Sequence, residues 1–226
     1  MSSKAAYPVL LVVLVAVGAG AGALVASLRV TRPAGATGTA TATADSAGVT
    51  SENPYARFAV ADFELTDQDG KPADQSIFDG RVTVLTFFYT SCPDPCPFIT
   101  RAMADVQERT KGTKVRFASV SVDGEHDTPE RIRAYGTGYG ADFARWVWLT
   151  GDPAVVGSVV SDSISFKVHD SADLTVMRSD GTKMAQILHP TRLILVGPDR
   201  HVLGVYAYND PDAIEQLVKD ATAAAG

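Results

Sequence analysis

Cysteine is scarce in this chain: 226 residues hold two, Cys92 and Cys96. Two thiols four positions apart, each followed by proline, are not the framework of a small disulfide-stapled fold, which needs several bridges. Positive charge is short as well. Twenty Lys and Arg stand against 26 Asp and Glu, a net charge of −6. The basic face that nucleic-acid binding requires is missing, so no nucleic-acid partner is expected. Internal repeats are absent. Hydrophobic residues make up 46% of the chain, enough for a sizeable core.

The first thirty residues lack charge in a telling way. Between Ala5 and Leu28 there is none, and Val9 to Val17 is a continuous apolar run. That length can span a bilayer as a helix. Residues 1–30 are therefore read as an N-terminal membrane anchor or signal segment. The small residues of Ala21-Gly22-Ala23 and Val25-Ala26-Ser27 keep a cleaved signal peptide open. The length of the uncharged stretch favours a retained, single-pass anchor. A leading apolar segment directs export, which places the rest on the extracytoplasmic side of the cell membrane. Residues 31–53 are rich in Ala, Thr and Gly and nearly devoid of large apolar side chains. They are expected to form a flexible linker.

From residue 54 to 226, strand and helix patterns alternate. Phe63 to Thr66 with the turn Asp67-Gln68-Asp69-Gly70 reads as an opening hairpin. Val82 to Tyr89, β-branched and aromatic, reads as a central strand, and a helix is expected from about Pro97 to Arg109. Strands are expected over 115–122 and 146–149. Thr128-Pro129 and Asp152-Pro153 have the chemistry of helix starts. Residues 164–177 alternate irregularly and read as an insertion. Strands at 192–196 and 202–206 and a helix from Asp210-Pro211 to about Thr222 close the chain. Such alternation defines an α/β fold. The order is that of a thioredoxin-like mixed sheet flanked by helices, with an N-terminal hairpin and an insertion before the last strands.

In such a fold a site belongs where the first long parallel strand gives way to a helix. Cys92 and Cys96 fall there, in Cys92-Pro93-Asp94-Pro95-Cys96-Pro97. The three prolines forbid regular helix before about Pro97, so a stiff loop presents the thiols at a helix N-terminus, where a thiolate is favoured. A structural disulfide closing so short a loop would add little stability. Two chemistries fit better: dithiol–disulfide exchange, or binding of a soft metal with a third ligand. Four histidines are candidates for that ligand. His126 and His201 sit in polar turns and read as solvated, and His169 lies in the insertion. His189 precedes the strand 192–196, on a loop expected beside the cysteines.

The residues Tyr89-Thr90-Ser91-Cys92-Pro93-Asp94-Pro95-Cys96-Pro97 resemble the signature of the Sco/SenC family, copper chaperones of cytochrome oxidase assembly. Ser121-Val122-Asp123, Asp127-Thr128-Pro129-Glu130, Gly140 to Trp146, Leu149-Thr150-Gly151-Asp152, and His189 with Leu195 to Asp199 extend the resemblance over nearly all of the chain from Asn53. It implies a thioredoxin-like domain holding a copper ion through Cys92, Cys96 and His189. The two cysteines would double as a redox pair. The implied function is a metallochaperone facing outward from the membrane, serving the binuclear copper site of cytochrome c oxidase subunit II or another copper or thiol client protein. The alternative is an extracytoplasmic thiol–disulfide oxidoreductase using the same cysteines, and a third class is a redox or copper sensor. Leu188 and Pro190 depart from the family, which has an acidic and a small hydroxyl residue there. His189-Pro190-Thr191 is similar to the cis-proline turn of thiol oxidoreductases, so a cis bond is expected at His189–Pro190. Asp94, Asp123 and Asp127 are expected near the site, Asp127 mainly as a neighbour of a helix cap.

Overall fold

A computed structural model describes residues 53–178 and 180–226. The expected anchor, and all of the linker but Asn53, lie outside the described residues. Among the described residues no helix is long and apolar enough to cross a membrane.

The main sheet has seven strands: β1 (Glu64–Asp67), β2 (Pro72–Asp74), β3 (Thr83–Phe88), β4 (Arg116–Ser121), β5 (Trp146–Thr150), β8 (Arg192–Val196) and β9 (Val202–Ala207). Their order across the sheet is β2-β1-β5-β4-β3-β8-β9. β3, β4 and β5 run parallel, and an antiparallel hairpin joins each side, through β1 on β5 and β8 on β3. This is the mixed sheet expected from the sequence. Every residue of β3 is buried, which explains why its sequence is a continuous β-branched and aromatic run with no alternation.

Four helices complete the domain: α1 (Cys96–Arg109), α2 (Pro129–Gly138), α3 (Pro153–Ile164) and α4 (Pro211–Ala225). Three begin as their sequences predict. Thr128, Asp152 and Asp210 accept first-turn N–H groups, with proline at the next position. α1 has no side-chain cap; Pro95 precedes it and Cys96 is its first residue. The core is aromatic on the α2 side. Trp146 and Trp148 stack at 4.8 Å, and Phe88 meets Trp148 edge to face at 4.9 Å.

Residues 164–177 are more regular than expected. α3 runs on to Ile164, and β6 (His169–Met177) pairs with β7 (Lys183–Leu188) as a separate two-stranded sheet. That hairpin ends at Leu188 and hands the chain directly to His189.

The cis peptide bond expected at His189–Pro190 is not there. Among the described residues the cis bond is Asp94–Pro95, inside the cysteine loop.

Candidate metal centre

β3 ends at Phe88 in the middle of the sheet, so Tyr89 and the residues after it emerge above a fully packed strand. The chain then turns sharply, with the Cys92 N–H donating to the Tyr89 carbonyl at 3.2 Å. Cys92 lies in the loop and Cys96 opens α1. Both are free thiols, 4% and 0% exposed. His189 comes to them from the far side, at the junction of β7 and β8, and is itself 6% exposed. Its Nε2 lies 3.4 Å from Cys96 Sγ. One ligand atom from each of Cys92, Cys96 and His189 falls within 4.8 Å of the others.

The imidazole is oriented from behind. Nδ1 sits 3.0 Å from the Pro190 carbonyl oxygen. A proton on Nδ1 donates to that carbonyl and leaves the Nε2 lone pair facing the sulfurs. A backbone carbonyl commonly fixes a ligand histidine in this way. Pro190 thus supports the ring through its carbonyl, across a trans His189–Pro190 bond. Tyr89 packs edge to face on the ring, with centroids 5.8 Å apart.

The two sulfurs are electrostatically unlike. Hydrogen bonding from Cys96, with smaller help from His189 and the Cys96 backbone, brings Cys92 down to about 5 against the opposing effect of burial. Burial first, then the hydrogen bond with Cys92 and the charge on it, pushes Cys96 well above the thiol range. The two titrate as a pair. Ionisation is therefore easier at Cys92 than at Cys96.

Asp127 holds the cysteine loop in place, a role larger than the cap neighbour expected. It is fully buried. Its carboxylate accepts from the Thr90 N–H at 2.9 Å, the Thr90 hydroxyl at 2.5 Å and the Ser121 hydroxyl at 2.6 Å. Thr90 lies two residues before Cys92, so the end of β4 and the loop before α2 fix the start of the thiol loop. Burial raises the Asp127 pKa, against those hydrogen bonds. Asp123 is buried and meets His126 Nδ1 at 2.9 Å, with Arg178 3.0 Å from the same nitrogen. His126 is therefore half-buried and engaged, where a solvated ring was expected. Asp94, His169 and His201 are exposed, and none of the three joins the cluster formed by Cys92, Cys96 and His189.

A thioredoxin-like sheet with two thiols at the β3–α1 junction, faced by one oriented imidazole, defines a dithiol protein with a soft-metal site. The family model described as SCO1/SenC matches residues 51–225, and the chain belongs to that family. The SCO1 protein homolog of Bacillus subtilis is 29% identical over 169 residues, covering 74% of this chain and 83% of that protein. The fold matches BsSco, a member of the Sco family of cytochrome c oxidase assembly proteins with an identified disulfide switch. The TM-score there is 0.62, at 28% identity, over 75% of this chain and 94% of that one. It also matches ScoI of Bradyrhizobium japonicum with copper bound, at a TM-score of 0.60 and 26% identity, over 74% and 99% of the two chains.

Proposed function

We propose that this chain is a copper-binding metallochaperone on the outer face of the membrane, with Cys92, Cys96 and His189 as its ligands. The observation that carries this is the convergence of two thiols and one imidazole lone pair in a buried pocket. Two thiolates and an imidazole are a soft donor set, and such sets select copper(I) over hard cations. The residues present fit the metal without rearrangement of the fold. Copper bound in similar ScoI supports the same cargo here. The client in this reading is the binuclear copper site of cytochrome c oxidase subunit II or another copper or thiol protein, in keeping with the assembly role of the Sco family. Residues 1–30 anchor the protein, residues 31–53 act as a tether, and residues 54–226 form the working domain.

Anaerobic copper titration of the reduced chain in detergent tests the ligand set. One copper per chain is expected. His189→Ala should weaken affinity by at least tenfold, and Cys92→Ser or Cys96→Ser should abolish tight binding. Equal affinity in the His189→Ala variant would remove His189 from the site.

The inequality of the sulfurs favours a second activity at the same place. Because ionisation is favoured at Cys92 over Cys96, the pair is arranged as an attacking and a resolving thiol. Cys92 would attack one sulfur of a client disulfide and release a client thiolate. Cys96, losing its proton, would then attack the Cys92 sulfur and release the second. Two electrons pass to the client, and the protein is left as the disulfide. His189→Ala should retain this reductase activity while losing copper.

A further inference from the structure

The end of the sheet remote from the thiols gathers positive charge, in a chain whose net charge is −6. Thr83 opens β3 and Arg116 opens β4, and the two are register partners in the parallel pair. They line a pocket of about 260 Å³ together with Arg81 and Arg145, and no Asp or Glu is among its lining. The acid nearest to Arg81 in sequence, Asp79, pairs with Arg200 at 3.3 Å. Arg145 adds charge, its guanidinium turned to the carbonyls of Gln107, Thr110 and Val115 at 3.0 to 3.4 Å. Arg81 and Arg116 are less engaged. Each gives only its Nη1 to backbone carbonyls, Arg81 to Ser76 and Ile77 at 3.4 and 3.3 Å, Arg116 to Ala144 at 2.7 Å. A guanidinium carries five N–H donors, and among the described residues neither of these two meets a carboxylate. Thr83 is 2% exposed, and its hydroxyl has no hydrogen-bond partner in the protein. A buried hydroxyl without an acceptor costs stability, and valine would fill the same space without that cost.

We propose that this pocket binds a phosphate group, held by the guanidinium forks of Arg81 and Arg116 and by the hydroxyl of Thr83. Arginine forks match the oxygens of phosphates and carboxylates. Donors from three residues suit a tetrahedral anion, with oxygens in several directions, better than a flat carboxylate. Two sources carry such a group, the free ion and a lipid headgroup, and both present the same oxygens. The thiols lie at the opposite end of β3, six residues and about 20 Å away, so a phosphate bound here does not obstruct them.

The test is melting of the metal-free full chain in a neutral detergent, with sodium phosphate titrated against sodium chloride at equal ionic strength. A saturable rise in melting temperature is expected with phosphate, because a ligand held only by the folded chain stabilises it. Arg81→Gln and Arg116→Gln should each raise the half-saturating concentration about tenfold, the loss of one charge-assisted contact. Thr83→Val should melt higher than the wild type without phosphate and gain less from it; an equal gain would remove Thr83 from the site. A second series adds phosphatidylglycerol to the micelles, with phosphatidylcholine, whose choline offsets the phosphate charge, as the control. A rise with phosphatidylglycerol that is lost in Arg116→Gln bears out the site with a lipid headgroup as its source. A rise with the free ion alone bears it out with the soluble anion. No rise beyond the controls in either series, or a rise undiminished in both arginine variants, would overturn the proposal. A response to sodium acetate equal to that to phosphate would overturn the choice of phosphate.

Discussion

Asp127 shows how a single buried carboxylate can govern a site it does not enter. It gathers three hydrogen bonds from Thr90 and Ser121 at 2.5 to 2.9 Å. Asp127→Ala would leave those donors buried and unpaired, and a loss of about 3 kcal/mol is expected from denaturant unfolding. The pH dependence has a definite sign. Its folded pKa lies above the ordinary value of 3.8, so the native state holds the proton to higher pH than the unfolded chain does. The contribution of Asp127 to stability is thus greatest below the ordinary value and falls as pH rises through the raised one. The melting temperature of the wild type should decline relative to Asp127→Asn over that window; a rise would contradict the assignment. None of this was legible in Asp127-Thr128-Pro129-Glu130, which reads as a helix start and is one. The partner of Asp127 is Thr90, 37 residues earlier, and such a pairing leaves no local pattern. His189 was legible only as one of four histidines placed by fold logic and family resemblance. The orienting Pro190 carbonyl is backbone and has no sequence signal at all.

At the level of elements, the thiol loop is placed by what packs under it. The loop from β4 to α2 carries Asp123 and Asp127 and lies directly on the turn after β5. A Cβ added at Gly124 would stand 1.7 Å from the Gly151 carbonyl oxygen, so backbone would have to move. Gly124→Ala should cost about 1–3 kcal/mol by overpacking, and by displacing Asp127 it should loosen the Thr90 contact. Faster alkylation of Cys92 in that variant is the expected signature; an unchanged rate would show that the loop positions are independent. β3, β4, β5 and β8 stood out in the sequence because each is a largely buried run, β3 the most β-branched and aromatic of them. β7 did not. Lys-Met-Ala-Gln-Ile-Leu over 183–188 is half-buried and mixed, and it pairs only with β6 outside the main sheet. The turn at Pro190 read as a cis proline by likeness to thiol oxidoreductases, whereas the cis bond lies at Asp94–Pro95. Several X-Pro bonds were available, and tertiary packing chose among them.

Over the whole molecule, the fold brings two distant segments to one buried point: the junction of β3 with α1 and the exit of β7, with Cys96 and His189 93 residues apart. A ligand that binds only this assembled state must stabilise the fold by mass action. Copper at a thousand times its dissociation constant would add about 4 kcal/mol. For a domain of this size that corresponds to a rise in melting temperature of about 10 °C. Cys92→Ser should lose that rise. The central claim, that these three side chains hold one copper ion, is tested most directly by X-ray absorption at the copper edge on the anaerobic copper(I) form. Two sulfur neighbours and one nitrogen neighbour are expected, with the nitrogen lost in His189→Ala. A copper environment of oxygen and nitrogen alone, or one unaltered in that variant, would contradict it.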